Sequence, residues 1–138
     1  MLEVQVNHLG DLQFEVKARH HTIYTDQPED NGGFDEGMTP PELLLGSVGA
    51  CAGHYAVQYL KALHLPLEGL RVHVSGEKAV QPARLADIGV QVIYPTELSP
   101  KDREGMLKAV HKCLIHNTLL NSPRIHVKLT GAETAIAA

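Results

Sequence analysis

The stretch Thr39-Pro-Pro-Glu-Leu-Leu-Leu-Gly-Ser-Val-Gly-Ala-Cys51 decides the fold, because it starts a helix in the middle of the chain. Thr39 and Glu42 are spaced as a capping box, in which each side chain accepts the other residue's backbone N–H. A proline at the first helical position favours the same start. The apolar pattern continues to about Leu63, and Pro66 prevents much further extension. We therefore predict a helix that begins after Thr39 and ends near Leu63.

One stripe of this helix is predicted to face inward. Its residues recur every three or four positions, as expected for a helical face: Leu44, Val48, Cys51 and Tyr55. Glycines also stand at positions 46, 49 and 53, and each mid-helix glycine costs roughly 1 kcal/mol relative to alanine. Close approach by another helix would offset that cost, so we expect a helix partner beside Cys51.

Segments of alternating polarity flank the helix and predict strands. They lie at residues 2–6, 12–16 and 22–25 before the helix, and at 70–74 and 88–94 after it. Ser75–Ala86 is interpreted as a loop because it contains Gly76 and Pro82. A second helix is predicted from Ser99 through Cys113 to Asn117, and a last strand at Arg124–Thr130, with Ile125, Val127 and Leu129 inward. The order predicts an α+β fold in a single domain, residues 1–138.

Composition narrows the possible partners and compartments. The chain has 138 residues, a formal net charge of −4 and a pI near 6.1, so a broad basic surface for nucleic acid or anionic lipid is not expected. No apolar stretch approaches the 18 or more residues that a membrane span needs. The segment after Met1 has neither a basic leader nor an apolar core, and we expect a cytoplasmic protein with reduced thiols.

The only two cysteines, Cys51 and Cys113, are each predicted on an inward helix stripe. If the helices pack together, one thiolate could attack a peroxide to become a sulfenic acid, and the second thiol could condense with it. The alternative is two buried cysteines that act as small apolar residues. Cys51 lies too far from the start of its helix for that helix's dipole to activate it. A cation must then lower its pKa, and the candidates are Arg19, Arg71, Arg124 and His54.

The histidines and Glu42 each allow a further hypothesis about the site. Cys51-x-x-His54 and Cys113-x-x-His116 have matching spacing, so the four side chains could form a Cys2His2 zinc site. Glu42 is either a capping residue or a functional carboxylate that orients an arginine over Cys51. It lies nine residues before Cys51, about 13.5 Å along a helix, which favours the capping role.

The quoted entry into the first helix resembles the OsmC/Ohr family, closer to its YhfA-like branch. Two further segments also resemble it: Ala109-Val-His-Lys-Cys113 followed by Asn117-Thr-Leu, and Gly76-Glu-Lys with Pro82 and Ile88-Gly-Val. The resemblance implies the order β-β-β-α-β-β-α-β and an intertwined homodimer whose sheets wrap around central helices. It implies two sites at the subunit interface. Separately, we expect no cofactor, and metal absent or substoichiometric in the purified protein.

The resemblance also implies an activity: thiol-dependent reduction of organic hydroperoxides, with Cys51 peroxidatic, Cys113 resolving, and a dithiol as reductant. Family members place a glutamate ten residues before the reactive cysteine, where this chain has Pro41, with Glu42 one position later. Their arginine comes from the N-terminal part, where this chain offers Arg19. The candidate catalytic residues are therefore Cys51, Cys113, Arg19 and Glu42. The alternative on the same fold is a non-catalytic domain that binds an apolar small molecule at the dimer interface.

Overall fold

The computed structural model describes residues 1–131, and within them the α+β class is confirmed. An antiparallel sheet comes first, in the order β1-β2-β3. A second sheet is a long hairpin of β4 and β5, and three helices complete the described part of the chain. The strands are β1 (Gln5–Gly10), β2 (Gln13–Ala18), β3 (His21–Thr25), β4 (Arg71–Val80) and β5 (Ala83–Ile93). The helices are α1 (Pro40–Ala62), α2 (Pro100–Val110) and α3 (Leu114–Leu120).

Helix α1 begins at the predicted capping box. The Glu42 N–H donates to Thr39 Oγ1 at 3.4 Å, and the Thr39 N–H donates to Glu42 Oε2 at 2.7 Å. Leu63 is the C-cap, and His64 follows in the left-handed region with φ of 55°. Both predicted ends of this helix are confirmed, because capping and helix-breaking signals act locally.

The buried face of α1 differs from the predicted stripe. Its buried residues recur every four positions: Val48, Ala52, Ala56 and Leu60. Of the predicted stripe, Val48 is buried, Cys51 and Tyr55 are half-buried, and Leu44 is exposed. The prediction placed the larger apolar side chains on the buried face, whereas in the structure two of the four buried residues of α1 are alanines. Cys51 therefore lies on the flank of the packed face.

Two glycines of α1, Gly49 and Gly53, lie against a strand and not against the expected helix. A Cβ atom placed on Gly49 would lie 2.9 Å from Val74 Cγ2, and one on Gly53 would lie 3.5 Å from Val72 Cγ2. Both valines belong to β4. The expected helix partner is wrong at these positions, because the small residues let the β4–β5 hairpin lie directly against α1.

The predicted loop Ser75–Ala86 is wrong, since β4 and β5 run through it and turn only at residues 81–82. Gly76, within the predicted loop, pairs with Ile88 inside the sheet. A Cβ on Gly76 would lie 3.1 Å from Leu45 Cδ2 and 3.3 Å from Leu85 Cδ2. Gly76 thus provides room for a leucine of α1, which a pattern of turn-forming residues cannot reveal.

The second predicted helix is two helices. Its start is confirmed, because Ser99 Oγ accepts the Asp102 N–H at 3.1 Å. The helix ends at Val110, whose carbonyl accepts the Cys113 N–H at 3.1 Å. Cys113 then adopts extended backbone angles, φ −53° and ψ 126°, and is the N-cap of α3. The expectation of one continuous helix through Cys113 is therefore wrong.

The predicted last strand, Arg124–Thr130, does not form within this chain. Its alternating apolar residues Ile125, Val127 and Leu129 are 83%, 94% and 100% exposed, so the expected inward side chains face solvent. A strand requires a neighbour for its backbone groups, and no strand of the described residues runs beside this segment.

The core lies where α1 and α2 meet the β4–β5 hairpin. Ala56, Leu60 and Met106 are buried at its centre. Half-buried apolar side chains surround them: Tyr59, Leu65, Leu67, Leu70, Val92, Tyr94, Leu98 and Val110. This packing places α2, and the chain that leaves it toward Cys113, beside the middle of α1. None of the described helices is long and apolar enough to cross a membrane.

The loop between β3 and α1 is organised by the carboxylate of Asp26, which is 1% exposed. Burial raises the pKa of Asp26, but the hydrogen bonds that the carboxylate accepts outweigh it and lower the pKa below its ordinary value. The donors are the backbone N–H groups of Gln27 at 2.7 Å, Glu36 at 3.1 Å and Phe34 at 3.2 Å, and the side-chain amide of Gln13 at 3.1 Å.

We expect Asp26→Asn to lower the free energy of unfolding at neutral pH, because an amide NH2 would face backbone donors. In the wild type, the contribution of Asp26 is complete above the ordinary aspartate pKa, about 4. It is lost as the pH falls through the lower pKa of the folded state. Urea unfolding at pH 7 and in acid should show a smaller acid loss in the variant. Asp35→Asn, at an exposed position of the same loop, is the matched control, and equal pH profiles in all three proteins would contradict the prediction.

Candidate active site

The two cysteines, both free thiols, come together where α1 meets the start of α3. Cys51 is half-buried on the flank of α1, and Cys113 is 1% exposed. The two sulfurs are close enough that each thiol shifts the pKa of the other. Two residues predicted from separate helices therefore form one dithiol site.

The environment of Cys51 favours its thiolate. Burial raises its pKa, but hydrogen bonds from the Cys113 thiol and from the backbone N–H groups of Ile115 and Leu114 outweigh burial and lower it. These N–H groups belong to the first turn of α3, where they have no carbonyl partner within the helix. The backbone groups that lower the pKa of Cys51 therefore belong to α3 and not to its own helix α1.

Cys113 has the opposite tendency. Burial and the hydrogen bond with Cys51 raise its pKa, although the backbone N–H groups of His116 and Ile115 act against this. The His116 N–H donates to Cys113 Sγ at 3.4 Å. The two thiols thus differ in pKa, with Cys51 the more acidic, and only Cys51 is more than marginally exposed.

An apolar cavity of about 560 Å³ lies beside the dithiol, between β5 and the α2–α3 corner. Aliphatic side chains make most of its wall, and its polar lining consists of Cys113, His111 and His116. The rings of the two histidines meet edge to face at 5.5 Å. Aliphatic lining residues include Val48, Leu85, Ile88, Val90, Leu119 and Leu120. The site therefore combines a thiol pair with space for an apolar group.

The comparison with protein families decides where this chain belongs. The model of a family described as OsmC-like protein matches residues 33–128, which include α1, both cysteines and the β4–β5 hairpin. The chain belongs to the OsmC-like family. No curated protein sequence matches this OsmC-like chain.

Solved structures share the OsmC-like fold. A Psychrobacter arcticus 273-4 protein with a proposed osmotic-stress and detoxification response superposes with a TM-score of 0.78 at 22% identity, over 86% of this chain and 88% of that one. An OsmC-like protein of Mycoplasma pneumoniae gives 0.72 at 21%, over 88% and 89%. An organic hydroperoxide resistance protein OsmC of Legionella pneumophila gives 0.62 at 17%, over 86% and 88%.

Arg19 lies away from the dithiol within this OsmC-like chain. It occupies the turn between β2 and β3, with φ of 57°, and its exposed side chain forms no hydrogen bond or ion pair with residues 1–131. The other candidate cations, Arg71, Arg124 and His54, are exposed and donate to neither cysteine sulfur. The Cys113 thiol and the backbone N–H groups of Ile115 and Leu114 lower the pKa of Cys51, and no cation of the described residues contributes.

Glu42 acts as a capping residue in this structure. Hydrogen bonds from the Thr39 N–H and hydroxyl lower the pKa of Glu42, and the ammonium of Lys78 lowers it further, against a small rise from burial. It also lines a separate groove of about 480 Å³ with Leu45, Gly49 and Val72. Within the chain it has no contact with Cys51 or Arg19.

The four residues of the zinc alternative do not assemble. No group of three or more His, Cys, Asp or Glu side chains within residues 1–131 is placed to hold a metal ion. His54 is exposed and its ring contacts Tyr55 at 5.3 Å, while His116 contacts His111. The matching Cys-x-x-His spacing has a different cause at Cys113, where it is the spacing of an N-cap and the N–H three residues on.

Sequence reasoning missed the donors from Leu114 and Ile115. Backbone groups have no sequence signature, and the continuous helix predicted through Cys113 would have bonded these N–H groups to carbonyls of the preceding turn. The available signal was the capping position itself, since a small side chain with an acceptor is typical of an N-cap. His111 was also missed as part of the cavity wall.

Proposed function

We propose that this protein is a thiol-dependent peroxidase that reduces organic hydroperoxides through Cys51 and Cys113. The observation that carries the proposal is the pair itself: two free thiols lie together where α1 meets α3, with Cys51 half-buried and Cys113 1% exposed. A lowered thiol pKa increases the fraction of Cys51 that is present as the nucleophilic thiolate, and the neighbouring Cys113 thiol supplies the resolving group.

The reaction proceeds in balanced steps. The Cys51 thiolate attacks the outer oxygen of the hydroperoxide, the O–O bond breaks, and the alkoxide leaves as an alcohol after taking a proton. Cys51 is now a sulfenic acid. The Cys113 sulfur attacks the Cys51 sulfur, water leaves, and a disulfide remains. A dithiol reductant returns both residues to thiols and becomes a disulfide itself. A reducing compartment such as the cytoplasm would supply it.

The aliphatic cavity supports an organic hydroperoxide as the substrate, in preference to a small polar peroxide. It offers about 560 Å³ and is lined largely by valine, leucine and isoleucine, which favour an apolar group by burial. The Legionella pneumophila protein of similar fold is named for organic hydroperoxide resistance. We therefore place the alkyl or aryl group of the substrate in this cavity.

A second function is favoured by one observation. The cavity wall includes Cys113 but not Cys51. A domain that only binds an apolar small molecule would need the cavity and no reactive sulfur at its surface. Ligand binding that is unchanged in Cys51→Ser, together with no hydroperoxide consumption by the wild type, would support this binding function.

The proposal is tested by the consumption of cumene hydroperoxide with dithiothreitol as reductant. We expect turnover by the wild type and none above background by Cys51→Ser, because the serine hydroxyl is not ionised at neutral pH and cannot form a sulfenic acid. Gln58→Ser is the matched control, an exposed serine substitution on the same helix, and should retain turnover. Equal rates for wild type and Cys51→Ser would overturn the proposed activity.

We also propose that the active form is a homodimer. The contacts of α1 are with β4, β5, α2 and α3, so the β1–β3 sheet packs on none of the helices to a comparable extent. Its apolar residues Val6, Phe14 and Ile23 are 56%, 36% and 40% exposed. The segment 124–130 also lacks a strand partner among residues 1–131. A second chain would cover both surfaces.

Light scattering at micromolar concentration is expected to give the mass of two chains, about 30 kDa from the 15.0 kDa of one chain. The physical reason is the exposed apolar area of the first sheet. Ile23→Asp should shift the mass toward one chain, whereas Thr22→Asp on the opposite face of β3 should not. A monomeric wild type would contradict the dimer and any interface site.

In the proposed dimer, Arg19 is the cation assigned to the thiolate of Cys51, brought by the β2–β3 turn of a second chain. Arg19→Asn removes the charge and tolerates the positive φ, while Arg19→Lys keeps the charge. Alkylation of Cys51 as a function of pH should show a higher pKa in Arg19→Asn only. The same alkylation pKa in all three proteins would remove Arg19 from the site.

A further inference from the structure

The proposed reaction produces an alkoxide at the edge of the apolar cavity. In a hydroperoxide, the outer oxygen is transferred to the Cys51 sulfur, while the inner oxygen stays bonded to the organic group. With the organic group in the cavity, the inner oxygen lies between the cavity and the dithiol. Cys113 marks this boundary, because it lines the cavity and its sulfur neighbours that of Cys51. The negative charge of the leaving group therefore develops beside Cys113.

The wall of the cavity cannot stabilise that charge. Apart from Cys113 and two histidines, the side chains that line its 560 Å³ are aliphatic and offer no hydrogen bond. An unpaired charge in apolar surroundings is strongly unfavourable. The alkoxide is also a strong base, so it is a poor leaving group unless it receives a proton as the O–O bond breaks. The reaction therefore needs a proton donor at this wall.

Three side chains of the wall carry a proton that they can give: Cys113, His111 and His116. Among the described residues, the wall contains no carboxylate, lysine or arginine. Burial raises the pKa of Cys113, which makes its thiol a weaker acid, and the same thiol is the proposed resolving group. Imidazole is the side chain that most often acts as a general acid near neutral pH. The histidines are thus the better donors.

The two histidines differ in their position at the wall. His116 is half-buried, and its backbone N–H donates to Cys113 Sγ at 3.4 Å, so it is held directly beside the dithiol. His111 is exposed at the end of α2, and its ring meets the ring of His116 edge to face, with centroids 5.5 Å apart. His116 is therefore the histidine nearer to the reacting sulfurs, and His111 is the one in contact with water.

We propose that His116 is the general acid that protonates the leaving alkoxide, with His111 beside it on the solvent side. The inference rests on the proposed function and adds the source of its proton. The Cys51 thiolate bonds to the outer oxygen, and the electron pair of the broken O–O bond stays on the inner oxygen. That oxygen takes the proton of the His116 imidazolium, which leaves a sulfenic acid, an alcohol and a neutral imidazole. Water then returns a proton to the imidazole.

Two peroxides with different leaving groups test this assignment. Cumene hydroperoxide releases a strongly basic alkoxide, whereas perbenzoic acid, which also carries an aromatic ring, releases benzoate, a carboxylate that is stable as an anion at neutral pH. The full-length protein is mixed with one equivalent of either peroxide without reductant, and oxidation of Cys51 is followed by mass spectrometry. We expect His116→Gln to slow the reaction with cumene hydroperoxide about a hundredfold and to leave that with perbenzoic acid nearly unchanged.

Two variants distinguish proton donation from a structural role. His73→Gln is the matched control, since His73 is exposed on β4 and does not line the cavity, and both of its rates should equal those of the wild type. His116→Ala keeps the backbone N–H to Cys113, and imidazole added to the buffer should restore its reaction with cumene hydroperoxide. A His116 that only shapes the wall would instead slow both peroxides alike, without rescue by imidazole, and this result would overturn the inference.

The remaining outcomes identify another donor or separate the inference from the proposed function. A loss specific to cumene hydroperoxide in His111→Gln or Cys113→Ser, but not in His116→Gln, would assign the proton to that residue and exclude His116. If His116→Gln slows neither peroxide, the general acid is wrong while the peroxidase proposal stands. If cumene hydroperoxide oxidises wild-type Cys51 no faster than free cysteine, the peroxidase proposal itself fails.

Discussion

Cys113→Ser is expected to trap a sulfenic acid on Cys51 when it reacts with one equivalent of cumene hydroperoxide in the absence of a reductant. The wild type under the same conditions should instead lose both thiols and gain the Cys51–Cys113 disulfide, because the second sulfur lies beside the first. A dimedone adduct at Cys51, located by mass spectrometry, measures the sulfenic acid in the variant.

The controls for this experiment follow from the roles of the two sulfurs. Cys51→Ser should give no dimedone adduct, since Cys113 is buried and its pKa is raised by burial and by Cys51. Excess peroxide should carry Cys113→Ser on to the sulfinic acid, because nothing condenses with the intermediate. An adduct on Cys113 in the Cys51→Ser protein, or a stable sulfenic acid in the wild type, would contradict the assignment of peroxidatic and resolving roles.

Gly105→Ala is expected to destabilise the fold by about 1–3 kcal/mol, the range for overpacking a well-packed interior. A Cβ atom on Gly105 would collide with the ring of Tyr59, with Tyr59 Cε2 2.7 Å away. The ring cannot move freely, because its hydroxyl donates to Asp102 Oδ1 at 3.3 Å and its neighbours form the core. The substitution would push α2 away from α1.

Gly46→Ala is the matched control for Gly105→Ala. Gly46 is also a helical glycine, but a Cβ there would meet nothing within 4 Å. Alanine should therefore stabilise α1 by about 0.5–1 kcal/mol through its higher helix propensity. Urea unfolding of the two variants measures both effects. A stabilised Gly105→Ala protein would show that the packing of α2 on α1 is looser than the structure indicates.

The sequence by itself determined the elements whose signals are local. The capping box of Thr39 and Glu42, and the helix-breaking residues after Leu63, predicted α1 from end to end. Alternation predicted part of each strand, because side chains of a strand point to opposite faces, but it placed the first strand at 2–6 and missed the halves of β4 and β5 that lie within residues 75–86. These signals depend on neighbours a few residues away in the chain. The α+β class followed from them.

Only the tertiary structure decided what depends on groups distant in the chain. Gly76 lies inside a strand, where the absence of a side chain leaves room for Leu45 of α1. The segment 124–130 is no strand, because no strand of the described residues pairs with it. Cys113 lies beside Cys51 as predicted, but it does so as the N-cap of the separate helix α3 and not as part of a continuous second helix. The pKa of Cys51 is lowered by the Cys113 thiol and by the backbone N–H groups of Ile115 and Leu114. Every residue type but proline has a backbone N–H. No residue type marks such donors in a sequence, so their direction toward a sulfur is a property of the fold alone.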